Sequence, residues 1–459
     1  MFESSPANAV RRGTGRSGRM GLWALLFGLS ACVQPPSGDG APPAIALHGM
    51  TLRQYPPGKP ARVVRAKEVT YQRGTGVVAG RSIVVDLPPG EEFRRGGARI
   101  AIDRAQGDTE GKGAVAEGPI LVETGAGDVG ETVGSIWDGE ARTLAGEAPV
   151  EVRGPNYALT GGSYHYQADT QTLALRDGVE FRSRPVAEEG ASAPPPPLDL
   201  QSPHLTVHHR ERRAVFGGGV VLTQGDLVVR CPELVAHYDE ASRIRRVVCT
   251  DQVRAEQGDR TMEAGSGEFD NVRRTLTLRG EPVIREGQRW IRGEVMTWEV
   301  DARVAHVEKG EAELPAADLP DRPQAARAAP MRVVSSRIHY TADDRTARFD
   351  GDVVARRATM TLRANRLVAV GAEDGSLQSA WTEAGPVTVV EGNRHARAQQ
   401  AHFLSNGQRL VLTGAPRFSE GESWLEGDRV VFFIGEDRVE VDRPRAAFPL
   451  DRAAGGSDR

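Results

Sequence analysis

The chain has 459 residues, of which 39% are hydrophobic, 26% charged and only 5% aromatic, with 53 glycines and 29 prolines. That length admits about two to four domains, and the Gly- and Pro-rich, aromatic-poor mix suits many short strands joined by turns. The 58 basic and 62 acidic residues are interspersed, without a basic face or tail, which argues against a nucleic-acid partner; three cysteines are too few for a disulfide scaffold or a CxxC-type zinc site.

At the N-terminus, Arg11, Arg12, Arg16 and Arg19 precede the apolar stretch Gly21 to Ser30. A bilayer-spanning helix needs about 20 residues, so this stretch is too short to span and fits the apolar core of a signal peptide. It ends in Leu29-Ser30-Ala31-Cys32, which resembles a bacterial lipobox: small residues let a peptidase close on the backbone, and the cysteine thiolate takes the diacylglycerol. The expectation is a lipoprotein signal peptide over 1–31, lipidation at Cys32 and a Pro/Gly/Ser tether over 32–44. The alternative is an ordinary signal peptide with a chance cysteine.

Two low-complexity breaks follow, a Pro-rich one over 188–199 and an Ala/Pro-rich one over 314–331. They delimit three units, 45–187, 200–313 and 332–447, with a tail over 448–459. The last two units repeat each other. Leu276-Thr277-Leu278-Arg279-Gly280-Glu281-Pro282, Trp290-Ile291 and Gly293 recur, all at one constant offset and without a gap, as Leu410-Val411-Leu412-Thr413-Gly414-Ala415-Pro416, Trp424-Leu425 and Gly427. Phe216 to Val221 recurs as Phe349 to Val354. All three units keep an aromatic residue seven positions before a Leu-x-Leu pair: Tyr166, Phe269 and Phe403.

Within the units, apolar and polar residues alternate. Leu276 and Leu278 fall on one side of a strand and Thr277 and Arg279 on the other; Met360, Leu362 and Ala364 alternate in the same way. Turn residues separate such runs at Tyr238-Asp239-Glu240, Asp270-Asn271, Asp374-Gly375 and Ser405-Asn406-Gly407. The fold class expected is all-β: tandem antiparallel jelly-roll units with a Val/Leu/Ala/Ile interior. Such an interior is either a closed core or an open apolar trough. In a trough, Phe216, Leu276, Leu278, Trp290, Phe349, Leu410, Leu412 and Trp424 are the candidate lipid contacts, and Trp290 and Trp424 serve equally as packed core or rim residues.

No catalytic constellation and no cofactor or metal motif is found. His204, His208 and His209 lie beside Arg210, Glu211, Arg212 and Arg213 and read as a solvated face. Gly217-Gly218-Gly219 interrupts a strand pattern with no helix after it, so it marks a bulge or turn, not a phosphate loop. Cys231 and Cys249 flank a turn centred near residue 240, so a regular hairpin would set them nearly opposite one another; they are either a disulfide or two buried thiols.

The pattern Phe269-Asp270, a five-residue gap, Leu276-x-Leu278-x-Gly280 and Pro282 resembles the periplasmic lipopolysaccharide-transport proteins of the LptA (OstA-like) type, over most of the second and third units. The first unit resembles the LptC type, in Pro60-Ala61-Arg62-Val63-Val64-Arg65 through Tyr71 and in Pro149-Val150-Glu151-Val152, Leu159-Thr160-Gly161-Gly162 and Leu173-Ala174-Leu175. The resemblance implies jelly rolls that shield the acyl chains of lipopolysaccharide and join other transport components by β-edge pairing. It implies a periplasmic, non-enzymatic protein, here held by a lipid on the inner or outer membrane. The LptC type usually has a transmembrane helix and the family's domains usually come singly, so three in one chain point to a pre-assembled bridge segment. The linkers either permit edge docking or hold the units apart. The competing class is a structural or adhesive β-repeat lipoprotein without a lipid ligand.

Overall fold

The computed structural model describes residues 44–55, 60–90, 96–184, 194, 196–315, 329–404, 409–434 and 438–447. Cys32, the signal peptide, most of both linkers and the turn at Ser405-Asn406-Gly407 lie outside these residues. Among the described residues every regular element is a β-strand. The fold is all-β and antiparallel, as the period-two pattern requires: Leu276 and Leu278 are buried, while Thr277 is half-buried and Arg279 exposed.

Contacts divide the chain into two compact units rather than three. The first comprises the described residues up to Pro155 together with 160–176 and 208–210. Its strands Ala44–Gln54, Arg62–Gln72, Val77–Leu87, Ala98–Asp108, Gly113–Thr124 and Val129–Asp138 pair antiparallel, each with the next. Val64, Ile83, Val85, Ile100, Ile102 and Trp137 pack in its core. One turn needs its glycine absolutely: at Gly97 (φ +78°) a Cβ would lie 2.1 Å from the Leu87 carbonyl oxygen.

The second unit holds both repeats. Its long strands share one irregularity near mid-length. Register shifts fall between Gly217 and Val220, Arg230 and Glu233, and Thr250 and Val253, and again between Val334 and Arg337 and Asp350 and Val353. Gly218, Gly219, Asp251, Gln252, Gly351 and Asp352 take positive φ there. Where the chain carries Gly-x-Pro, the strand breaks outright. Thr275–Arg279 and Val283–Glu286, separated by Gly280-Glu281-Pro282, pair side by side with the two halves of Arg260–Asp270. Gly414-Ala415-Pro416 does the same one repeat later, between Arg409–Thr413 and Arg417–Glu420. The bulges and breaks form a crease that folds the sheet into two layers, with side chains from both halves of each strand meeting inside. The glycine triplet is thus a bulge, as its sequence suggested, and the His204 ring fills the space a Cβ on Gly217 would need.

Candidate functional site

The candidate site is the inner face of the folded sheet in the second unit. Phe216, Leu276, Leu278, Phe349, Leu410 and Leu412 all lie on it, none more than 1% exposed. The six share one face, and the structure packs them as a closed core. Trp290 and Trp424, open in the sequence between a core or rim position and a lining one, face outward. Their neighbours Ile291 and Leu425 pair with the inward Ile284 and Phe418, so strand alternation turns both tryptophans outward. Each is half-buried under a guanidinium, Arg292 at 5.1 Å from the Trp290 ring centre and Arg417 at 4.8 Å from that of Trp424.

The cysteine pairing also needs correction. Cys231 and Cys249 are both buried free thiols. The hairpin turn runs from Asp239 to Arg243, its loop amides bonded to the Asp239 carboxylate, so the hairpin centre lies past residue 240 and Leu234, not Cys231, faces Cys249. The thiols still meet side by side at the crease, where the bond to Cys231 and burial push the Cys249 thiol up.

The second linker does not separate the repeats. Val304–Leu314 of the first repeat pairs with Met331–Thr341 of the second over ten residue pairs. Inward partners across this junction are Ala305 with Tyr340, Val307 with Ile338, Ala312 with Val333 and Leu314 with Met331, all buried. The apolar face therefore runs without a break from one repeat into the next.

Opposite the crease, the free ends of the two layers meet along a seam of polar side chains. Gln224 Nε2 donates to Asn271 Oδ1 at 3.2 Å. Trp298 Nε1 donates to Gln257 Oε1 at 2.8 Å, and Gln257 Nε2 donates to Asp226 Oδ1 at 2.8 Å. Where the repeats join, Glu286 lies between Arg260 (3.3 Å) and Arg289 (3.0 Å) and accepts the Tyr340 hydroxyl at 2.5 Å. Burial first, then Glu286, push the Tyr340 phenol up to about 12, so it remains a donor at neutral pH. Beside this cluster Ile284, Trp290, Ile291, Leu314, Ala347 and Ala369 line a partly open cavity of about 20 Å³, room for one water. Sequence reasoning passed over all of these latches. One signal was available: Trp298 and Phe432 are both aromatic and stand at the same offset as the repeated Leu-x-Leu pairs.

On the outer face of the junction, His306 Nδ1 and His339 Nδ1 lie 3.3 Å apart, and His306 Nε2 contacts Glu299 at 2.8 Å. Desolvation, then His306 and Arg348, hold His339 below the ordinary histidine range, against the opposing pull of Glu299 and Asp350. The folded state therefore binds fewer protons here than the unfolded chain. Stability is intact above the ordinary pKa of about 6.5 and falls as pH drops through it. The melting temperature should decline between pH 7.5 and 5, and His339→Gln should flatten the decline; equal slopes in the two proteins would remove His339 as the cause.

Among the described residues no group of three or more His, Cys, Asp or Glu side chains is placed to hold a metal. Residues 199–304 and 332–438 match the family described as LptA/(LptD N-terminal domain) LPS transport protein. A solved structure, that of LptH, the LptA homologous periplasmic component of the conserved lipopolysaccharide transport device from Pseudomonas aeruginosa, is 15% identical to this chain. That match covers 27% of this chain and 96% of LptH, with a TM-score of 0.24. No curated protein matches. Over residues 199–304 and 332–438, two consecutive domains joined strand to strand, the chain is similar to the LptA/(LptD N-terminal domain) family of lipopolysaccharide-transport proteins.

Proposed function

We propose that this protein is a carrier of lipopolysaccharide in the periplasm and not a catalyst, with the lipid's acyl chains taken up between the two layers of the tandem domains. The observation that carries this reading is the unbroken inner apolar face across the Val304–Leu314 and Met331–Thr341 junction. Each methylene moved from water onto such a face contributes about 0.8 kcal/mol, so a multi-chain lipid offers ample driving force to part the layers. The layers are joined at the crease by the chain itself, which runs through each bulge from one layer to the other, but at the seam by a few side-chain bonds, so the seam is the side that opens.

In this reading Cys32 carries the lipid that anchors the protein to the inner or outer membrane, and the first unit serves as the LptC-like module. Among the described residues, Ala44–Gln54 and Arg438–Asp442 each pair on one side only, with Arg62–Gln72 and Arg429–Phe433. Their unpaired backbone groups suit strand addition by other transport components.

Photocrosslinking side chains placed in cells test the reading. The inward positions Leu278 and Leu412 should form adducts with lipopolysaccharide, while the outward Arg279 and Trp290 should not. Adducts to protein alone at all four positions would leave a closed structural β-repeat and no carrier.

A further inference from the structure

At one inward seam position the first repeat carries an amide where the second carries a guanidinium. Phe216 and Phe349 correspond, and the offset between them aligns Gln224 with Arg357. Gln224 is neutral and latched: its Nε2 donates to Asn271 Oδ1 and, at 3.1 Å, to the Pro196 carbonyl oxygen. Arg357 is 2% exposed, and its Nε, Nη1 and Nη2 are all buried with no hydrogen-bond partner among the described residues. Glu391 stands on the same ladder beyond Met360 but accepts a bond from the Thr359 hydroxyl and makes no ion pair with Arg357. Burial alone lowers the Arg357 guanidinium to about 10, which leaves it cationic at neutral pH.

A buried guanidinium with five unused N–H donors and no counter-charge costs stability, and the first repeat avoids that cost with glutamine. Its surroundings are those of a ligand contact. Met331 and Met360, both unbranched and adaptable, flank it across the ladder. The next inward rung is Val333, Ala355, Leu362 and Val389, all buried.

We propose that Arg357 receives the phosphate head group of an anionic amphiphile whose hydrocarbon chain lies along Val333, Ala355, Leu362 and Val389. The proposal rests on the lipid-carrying reading and adds to it a charged contact inside the second repeat. A planar guanidinium pairs two phosphate oxygens at once, and the low-dielectric interior strengthens the pair.

Decyl phosphate, the neutral decyl glucoside and inorganic phosphate, each below micelle-forming concentration, are titrated against the full chain, Arg357→Met and Arg357→Gln. The wild type should prefer decyl phosphate to decyl glucoside by about 10- to 100-fold, the range expected of charge-assisted bonds. Arg357→Met should lose that preference with glucoside affinity unchanged, and it should melt at a higher temperature, because an uncompensated buried charge has been removed. A guanidinium with a purely structural role would instead give a lower melting temperature. Binding of decyl glucoside without any preference for the phosphate, or a preference that survives both substitutions, overturns the Arg357 contact and leaves the carrier intact. Inorganic phosphate binding as tightly as decyl phosphate overturns the amphiphile. Failure of both amphiphiles to bind any variant removes the carrier reading and the Arg357 contact together.

Discussion

Replacing Ile338 by aspartate should uncouple the two family domains. Ile338 is 1% exposed and stands at the centre of the junction, opposite Val307 on one side and Phe349 on the other. Gly310 keeps room for it, since a Cβ there would lie 2.5 Å from the Ile338 Cδ1 atom. A carboxylate in this place loses the buried methyl groups and must either ionise without a partner or take up a proton, a cost of roughly 4 kcal/mol or more. In denaturant the wild-type domains should unfold in one transition, because ten residue pairs join them. Ile338→Asp should split that transition in two, with the junction lost first. Ile338→Val removes one methylene and should cost only about 1 kcal/mol with the single transition kept. In the photocrosslinking assay, the aspartate variant should still load lipid at one of Leu278 and Leu412 but no longer at both, since the continuous face has been cut between them. A single transition with an unchanged midpoint would show that the strand pairing at 304–341 does not couple the domains.

Much of this fold was legible in the sequence for a plain reason. Period two is a local property of a strand, and a gapless internal repeat reproduces the environment along with the residues. Leu276, Leu278, Leu410 and Leu412 could therefore be assigned inward without a structure. The errors arise where a count along the chain must cross an irregularity. The Cys231–Cys249 pairing assumed a hairpin centred on residue 240, but the Asp239–Arg243 turn moves the centre and the bulges on either side shift the register again. For Trp290 and Trp424 the sequence leaves core or rim and lining positions open, because a lone aromatic in a short strand carries no alternation of its own; the pairing of Ile291 with Ile284 and of Leu425 with Phe418 turns them out. The Ala/Pro-rich composition of 314–331 gives no hint that the strands flanking it pair, because strand pairing is a property of two distant segments. The seam was invisible for the same reason. Gln224, Gln257, Glu286 and Arg357 read as ordinary polar strand ends, and only the folding of the sheet on its crease brings them against the opposite layer.

The second large effect is expected at Trp298, which the sequence offered no reason to prefer over Trp290. Trp298 is fully buried, between Leu276 and Ala305 on the ladder, and its indole N–H is bonded to Gln257. Trp298→Ala removes the largest fully buried side chain of the unit and should cost about 3–5 kcal/mol. Trp298→Phe keeps most of the apolar volume but leaves Gln257 Oε1 without its donor, which should cost about 1–3 kcal/mol. The cycle with Gln257→Leu separates latch from packing: a coupling of about 1 kcal/mol assigns the loss to the bond, and additivity assigns it to ring volume alone. The other repeat carries Phe432 at the matching position, a ring with no donor, packed edge-on against Phe418 at 5.7 Å. That repeat thus lacks the indole latch, and it is the repeat that carries the unpartnered Arg357. If the seam admits acyl chains, Trp298→Phe should make the first repeat behave like the second: crosslinking of lipid at Leu278 should rise toward the level at Leu412. An increase at Leu278 that also appears at the outward Arg279 would mean general loosening of the domain and not an opened seam.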